Sequence, residues 1–119
     1  MRLSAEAGPG ARIEHRMGDA TANPYTHTAA VLQAARLGVV NAYTLQPIET
    51  GDCLENKDAT NSVPDTLAGA LDALEADTVL TQALGEGLVA NHVGIKRHEI
   101  DRTASLEGDA LRDYYIRFI

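Results

Sequence analysis

Tryptophan is absent from this chain, and cysteine and phenylalanine occur once each. A single thiol, Cys53, cannot close an internal disulfide. Without a Cys-x-x-Cys pair there is no zinc ribbon or dithiol redox centre. Positive charge is scarce as well: 10 Lys and Arg stand against 17 Asp and Glu, a formal net charge of −7. That field repels DNA, RNA and anionic lipid, and no basic cluster with interleaved aromatics offsets it. Any phosphate handling must therefore be local. A basic-then-apolar leader is missing from the N-terminus, and no apolar run approaches the ~20 residues needed to cross a bilayer. These absences read together as a soluble cytoplasmic chain with no nucleic-acid or membrane partner. Nor is there a glycine-rich phosphate loop, and neither Ser62 nor Ser105 has a Gly-x-Ser-x-Gly context.

What is present is Ala, Leu and Val at helical spacing, in 119 residues, enough for one small domain. Residues 1–10 end in the breaker Gly8-Pro9-Gly10 and read as a flexible lead-in to a chain cut into rather than begun. Residues 11–17 have the alternation of a strand. Asn23-Pro24 is a helix start, with Asn as cap and Pro at the first position, and the helix is expected to stop at Gly38. Alanines surround its apolar stripe, so this helix is expected to be buried on several sides. Residues 39–63 read as irregular. Pro64-Asp65 opens a second helix carrying Leu67, Ala70, Leu71 and Leu74, and Asp77 caps a short third that ends at Gly85. A fourth, from about Glu86 to Thr103, places Val89, Val93 and Ile100 on one face and Lys96, Arg97, Glu99, Asp101 and Arg102 on a wet one. Three of the five aromatics, Tyr114, Tyr115 and Phe118, crowd the end, marking residues 110–119 as a docking tail.

The sharpest pattern is Arg12-x-Glu14-x-Arg16. On a strand, residues two apart share a face at about 6.6 Å. A carboxylate between two guanidiniums suits a site that binds Mg²⁺ and phosphate together: Glu14 offers a hard oxygen, and each arginine a planar fork for phosphate or carboxylate oxygens. A solvated charge stripe accounts for the same pattern and is the commoner outcome, since surface ion pairs are cheap. His15, His27, His92 and His98 form no metal-ligand pair by spacing and read as surface or satisfied histidines. Cys53 reads as a loop thiol or a buried one rather than a nucleophile.

The run Arg12-Ile13-Glu14-His15-Arg16, followed at the right gap by Asn23-Pro24-Tyr25 opening an Ala-rich helix, resembles glutamine synthetase near its C-terminus. The likeness continues more loosely through Leu67-x-x-Ala70-Leu71-x-x-Leu74-Glu75-x-Asp77, then Ile95-Lys96-Arg97-x-Glu99-Ile100 and the aromatic tail. It covers nearly all of the chain but only the last quarter or so of a family member. The resemblance implies ATP-dependent phosphorylation of the glutamate γ-carboxylate and displacement of the phosphate by ammonia. Glu14 matches a glutamate that binds a divalent metal, Mg²⁺ or Mn²⁺. Arg16 matches the catalytic arginine on the substrate carboxylate and transferring phosphoryl group, and Arg12 one on the nucleotide side. The chain departs from the family pattern at Gly8-Pro9-Gly10, where a lysine is often found, and at Gly18-Asp19, where Pro-Asp is common. His15 and the tail look more like divergent members that join glutamate to organic amines such as polyamines.

The fold expected is α+β and mostly helical, one N-terminal strand followed by about four helices: a single partial domain, the C-terminal fragment of a glutamine synthetase-type catalytic domain. Its partners would be the missing upstream part of the same ligase or full-length subunits, in a homo-oligomer. The alternative is a non-catalytic interaction module that binds such subunits.

Overall fold

The computed structural model describes residues 2–3, 8–19, 22–47 and 63–118. The sequence places two of the chain's apolar helical segments close together after residue 66, and the core forms there. Strand β1 (Arg2–Leu3) pairs antiparallel with β2 (Ile13–Glu14), in the register Arg2↔Glu14 and Leu3↔Ile13. The helices are α1 (Pro24–Val40), α2 (Leu67–Ala76), α3 (Thr78–Leu84), α4 (Glu86–Thr103) and α5 (Gly108–Tyr115). Single 3-10 turns lie at Gly8–Gly10 and Ile116–Phe118. The fold is α+β and mostly helical, as the composition implied. No helix among the described residues is long and apolar enough to cross a membrane.

Several boundaries differ from the sequence reading, each for a local reason. The strand is shorter than residues 11–17, because β1 offers only two residues to pair with. The same pairing gives the lead-in a structured stretch and covers one edge of β2. Helix α1 does not stop at Gly38. It continues to Val40 and closes with two reverse hydrogen bonds, Ala42 N–H to Val39 O (3.2 Å) and Tyr43 N–H to Gly38 O (3.0 Å). Ala42 takes the left-handed conformation this closure needs, at φ 50°. Alanine stands here where glycine is usual, so the sequence carries no stop signal at this position. Helix α2 starts three residues after Pro64, since the Thr66 hydroxyl accepts from Gly69 N–H at 3.1 Å and acts as the cap.

The other caps follow the sequence. The Asn23 side chain accepts from Tyr25 N–H (2.9 Å) and Thr26 N–H (3.3 Å). Asp77 ends α2 through its own N–H to Ala73 O, and its Oδ1 accepts from Leu80 N–H to open α3. Gly85, at φ 99°, separates α3 from α4.

Leu71, Val89 and Val93 are buried, with Leu74, Leu84 and Ile100 packed against them. This small core joins α2, α3 and α4. Burying each of the three contributes about 1.5–3 kcal/mol. The face of α4 read as wet is only partly so. Arg97 crosses to α2, its Nη2 at 2.6 Å from Asp72 and 2.5 Å from Glu75. Those bonds, Glu75 first, raise the guanidinium pKa above its ordinary value. The tail is helical: α5 makes a fifth helix where the sequence reading gave four.

Candidate functional site

Alternation along β2 and its flanks brings Arg12, Glu14 and Arg16 to one side. Glu14 is held between the two arginines, each on a different carboxylate oxygen. Arg12 Nη2 lies 3.2 Å from Oε1 and Arg16 Nη2 2.7 Å from Oε2. Arg16 Nε also donates to Oε2, at 3.1 Å. Arg12 Nη1 makes a long hydrogen bond to Gly10 O, 3.4 Å, tying the row to the turn before it.

The Nε–Nη2 edge of Arg16 is therefore engaged by Glu14, and its Nη1 side remains directed elsewhere. A guanidinium fixed along one edge presents the other to an incoming anion with little further ordering. The Arg12 and Arg16 side chains are 58% and 64% exposed, and that of Glu14 only 24%. Ion pairs this wet contribute roughly 0–1 kcal/mol each. The row is therefore a weak stabiliser of the fold and a well-ordered presentation of charge. All three site residues expected from the sequence come together here.

Glu14 can give a hard cation one carboxylate. Among the described residues no group of three or more His, Cys, Asp or Glu side chains comes together that could complete a metal shell. The donor set fits one ligand position of a divalent ion and requires the others from outside these residues.

Behind the row lies a contact that spacing did not reveal. The rings of His15 and His27 stand 5.2 Å apart, tilted at 56°. The His27 imidazole fills the space a side chain at residue 18 would need: a Cβ there would sit 2.7 Å from Cε1 and 3.0 Å from Nε2. Gly18 therefore admits His27, and His27 meets His15, the residue between Glu14 and Arg16. The visible signal was the departure at Gly18; its partner, nine residues on, could be found only in three dimensions. Cys53 and Ser62 lie outside the described residues.

A cavity of about 230 Å³ lies elsewhere, lined by Ala34, Leu37, Tyr43, Asp77, Val79 and Leu80 between α1 and α3. None of the row residues reaches it.

The family model for the glutamine synthetase catalytic domain matches residues 1–114. This chain belongs to the glutamine synthetase catalytic-domain family. It is 39% identical over 112 residues to a glutamine synthetase of Methanocaldococcus jannaschii, covering 87% of this chain and 25% of the relative. Against a glutamine synthetase of Pyrococcus horikoshii it is 38% identical over 105 residues, 83% of this chain and 24% of that one. Against human lengsin it is 36% identical over 110 residues, 90% of this chain and 21% of that protein. The chain thus spans about a quarter or less of the length of these relatives. No solved structure matches it.

Proposed function

We propose that this chain supplies one strand of the active site of a glutamine synthetase-like ligase, which amidates the glutamate γ-carboxylate with ammonia through a γ-glutamyl phosphate, using ATP. The observation that carries the reading is the Glu14 carboxylate clamped on both oxygens by Arg12 and Arg16, in a chain of this family. In this reading Arg16 binds the substrate carboxylate and the transferring phosphoryl group through its Nη1 side. Arg12 lies toward the nucleotide. Glu14 keeps both guanidiniums oriented and is the residue that would hold Mg²⁺ or Mn²⁺, an ion that supplies electrostatic stabilisation to phosphate oxygens. Phosphoryl transfer asks a protein mainly for positioned positive charge, which two ordered arginines provide. The remaining ligands come from the rest of a ligase polypeptide, in a cytoplasmic homo-oligomer.

The test is reconstitution with the remainder of a family member. Arg16→Ala should lower glutamate- and ammonia-dependent phosphate release by about 10²-fold or more, the scale of losing one transition-state donor. Thermal stability should stay within about 1 kcal/mol of the parent, because the ion pair it removes is exposed. Unchanged turnover would remove Arg16 from the chemistry.

A second reading, a non-catalytic module that binds full-length subunits, is favoured by α5. Its end gathers Tyr114 against Tyr115 (5.2 Å) and Phe118 (5.4 Å), while Ile116 and Phe118 remain exposed. Deleting residues 114–119 separates the readings. Loss of co-purification with a full-length homologue supports the module, and retained binding counts against it. An organic amine in place of ammonia is the third form of the proposal, tested by offering polyamines as acceptors to the reconstituted enzyme.

A further inference from the structure

Helix α1 is apolar on two sides and packs on one. Its inner side, with Ala34 and Leu37, faces Val79 and Leu80 of α3 across the shared cavity. Tyr25, Leu32 and Val39 recur every seven residues, and Thr28 and Ala35 fall between them. At 100° per residue these five lie within one arc of about 80°, a stripe of roughly 21 Å along the helix. All five are exposed, Leu32 by 64% and Val39 by 83%. Arg36 is the sole Lys, Arg, Asp or Glu in α1, and its Nε hydrogen bonds Gln33 Oε1 at 2.8 Å along the edge of the stripe. The chain does not lack charge for a water-facing helix: α4 carries Glu86, Lys96, Arg97, Glu99, Asp101 and Arg102. A helix with apolar residues on opposite faces is built for burial on both.

We propose that the outer stripe of α1, Tyr25, Leu32, Ala35 and Val39, is the surface on which the remaining three-quarters of a glutamine synthetase-type polypeptide packs. This inference rests on the ligase reading and names the surface that joins the two parts. The occupant follows from what lies outside the match. The relatives extend over about four times the matched length, so the family fold holds far more chain than is present here. The stripe begins at Tyr25 in the first turn of α1, and His27 of that turn lies against His15, the residue between Glu14 and Arg16 of the row. That row needs donors these residues do not assemble. The described residues of a second copy would bring only another single carboxylate between two arginines. Being apolar, the contact is insensitive to salt, unlike a charge-steered one.

The experiment is co-expression of the 119-residue chain with a tagged M. jannaschii glutamine synthetase lacking its matched segment. Capture, complex stability and turnover are then measured. Wild-type chain should be captured equally at 0.1 and 1 M salt, to the order of magnitude that screening distinguishes. Leu32→Glu/Val39→Glu should lose capture by at least about 10²-fold, the scale of two charges buried unpaired. Its far-UV circular dichroism should match the parent's, since neither side chain enters the α2–α3–α4 core. Hydroxyl-radical labelling of Tyr25 and Leu32 in the wild-type chain should fall in the complex and not in the free chain. Failure of the wild-type chain to be captured overturns the proposal, as does undiminished capture of the double variant or unchanged labelling. A wild-type dimer converted to monomer by the double variant assigns the stripe to a second copy and overturns it as well. Capture and turnover, read together, separate the two claims. Stripe-dependent capture without any turnover defeats the ligase reading and leaves the surface standing, whereas turnover that survives Leu32→Glu/Val39→Glu defeats the surface alone.

Discussion

Gly18 and Ala42 carry more structural information than their size suggests. Gly18 leaves room for His27, whose ring leans on His15 between the two residues that matter most to the proposed site. Gly18→Ala should force the imidazole aside, costing about 1 kcal/mol, the scale of one side chain driven off its preferred rotamer. His27→Ala in the same chain should remove most of that penalty. Urea melts of the two single variants and the double variant measure the coupling, and strict additivity would show that the notch and the ring are independent. Ala42 occupies the left-handed region at φ 50°, a conformation that costs a residue with a Cβ about 1 kcal/mol. Ala42→Gly should raise the unfolding free energy by about that amount, read as a higher midpoint of urea unfolding. A lower midpoint would mean that the freedom gained by the unfolded chain outweighs the relief of strain.

At the scale of elements, α5 is joined to α4 through a polar link. Burial raises the Glu99 pKa, but hydrogen bonds from Lys96 (2.7 Å) and Tyr115 outweigh it and hold the carboxyl below its usual 4.5. Tyr115 is shifted upward, first by burial and then by its bond to Glu99. A depressed carboxyl adds stability that is complete above its unfolded value and lost as pH falls through the folded one. The tyrosine near-ultraviolet signal should therefore weaken on acidification below about pH 4.5, and Glu99→Gln should make that signal less dependent on pH in the same window. A pH profile identical in the variant would place the acid response elsewhere. Arg97 spans α4 and α2 through Asp72 and Glu75, yet all three are exposed, so its contribution is small and falls with salt.

At the scale of the whole molecule, three apolar side chains among the described residues are buried and many are exposed: Tyr25, Leu32, Val39, Val40, Tyr43 and Leu45 in and just after α1 alone. Its Cα radius of gyration is 16.9 Å, where a compact chain of this length has about 13–14 Å. Two consequences follow for the chain by itself. It should unfold at low denaturant with little cooperativity, because so little apolar area leaves water. It should also release no phosphate from ATP in the presence of glutamate and ammonia, since one carboxylate and two arginines cannot enclose a nucleotide and position a second substrate. Glutamate-dependent phosphate release from the pure chain would overturn that expectation.

The sequence by itself determined the helical class, the caps at Asn23 and Asp77, the break at Gly85 and the start of α4 at Glu86. These depend on side-chain-to-backbone chemistry within three or four residues, which neighbours along the chain settle. It also determined that Arg12, Glu14 and Arg16 share a face, because alternation is a property of the extended backbone. Tertiary structure decided everything that needs two distant segments. The pairing of Arg2–Leu3 with Ile13–Glu14 sets how far the strand runs. The reach of Arg97 to α2 turns part of a wet face into a bridge. The fit of His27 against Gly18 and His15 joins residues on either side of a turn. Local propensity carries no record of such encounters, because a strand or an ion pair is favourable only once packing has prepaid the entropy of bringing its ends together.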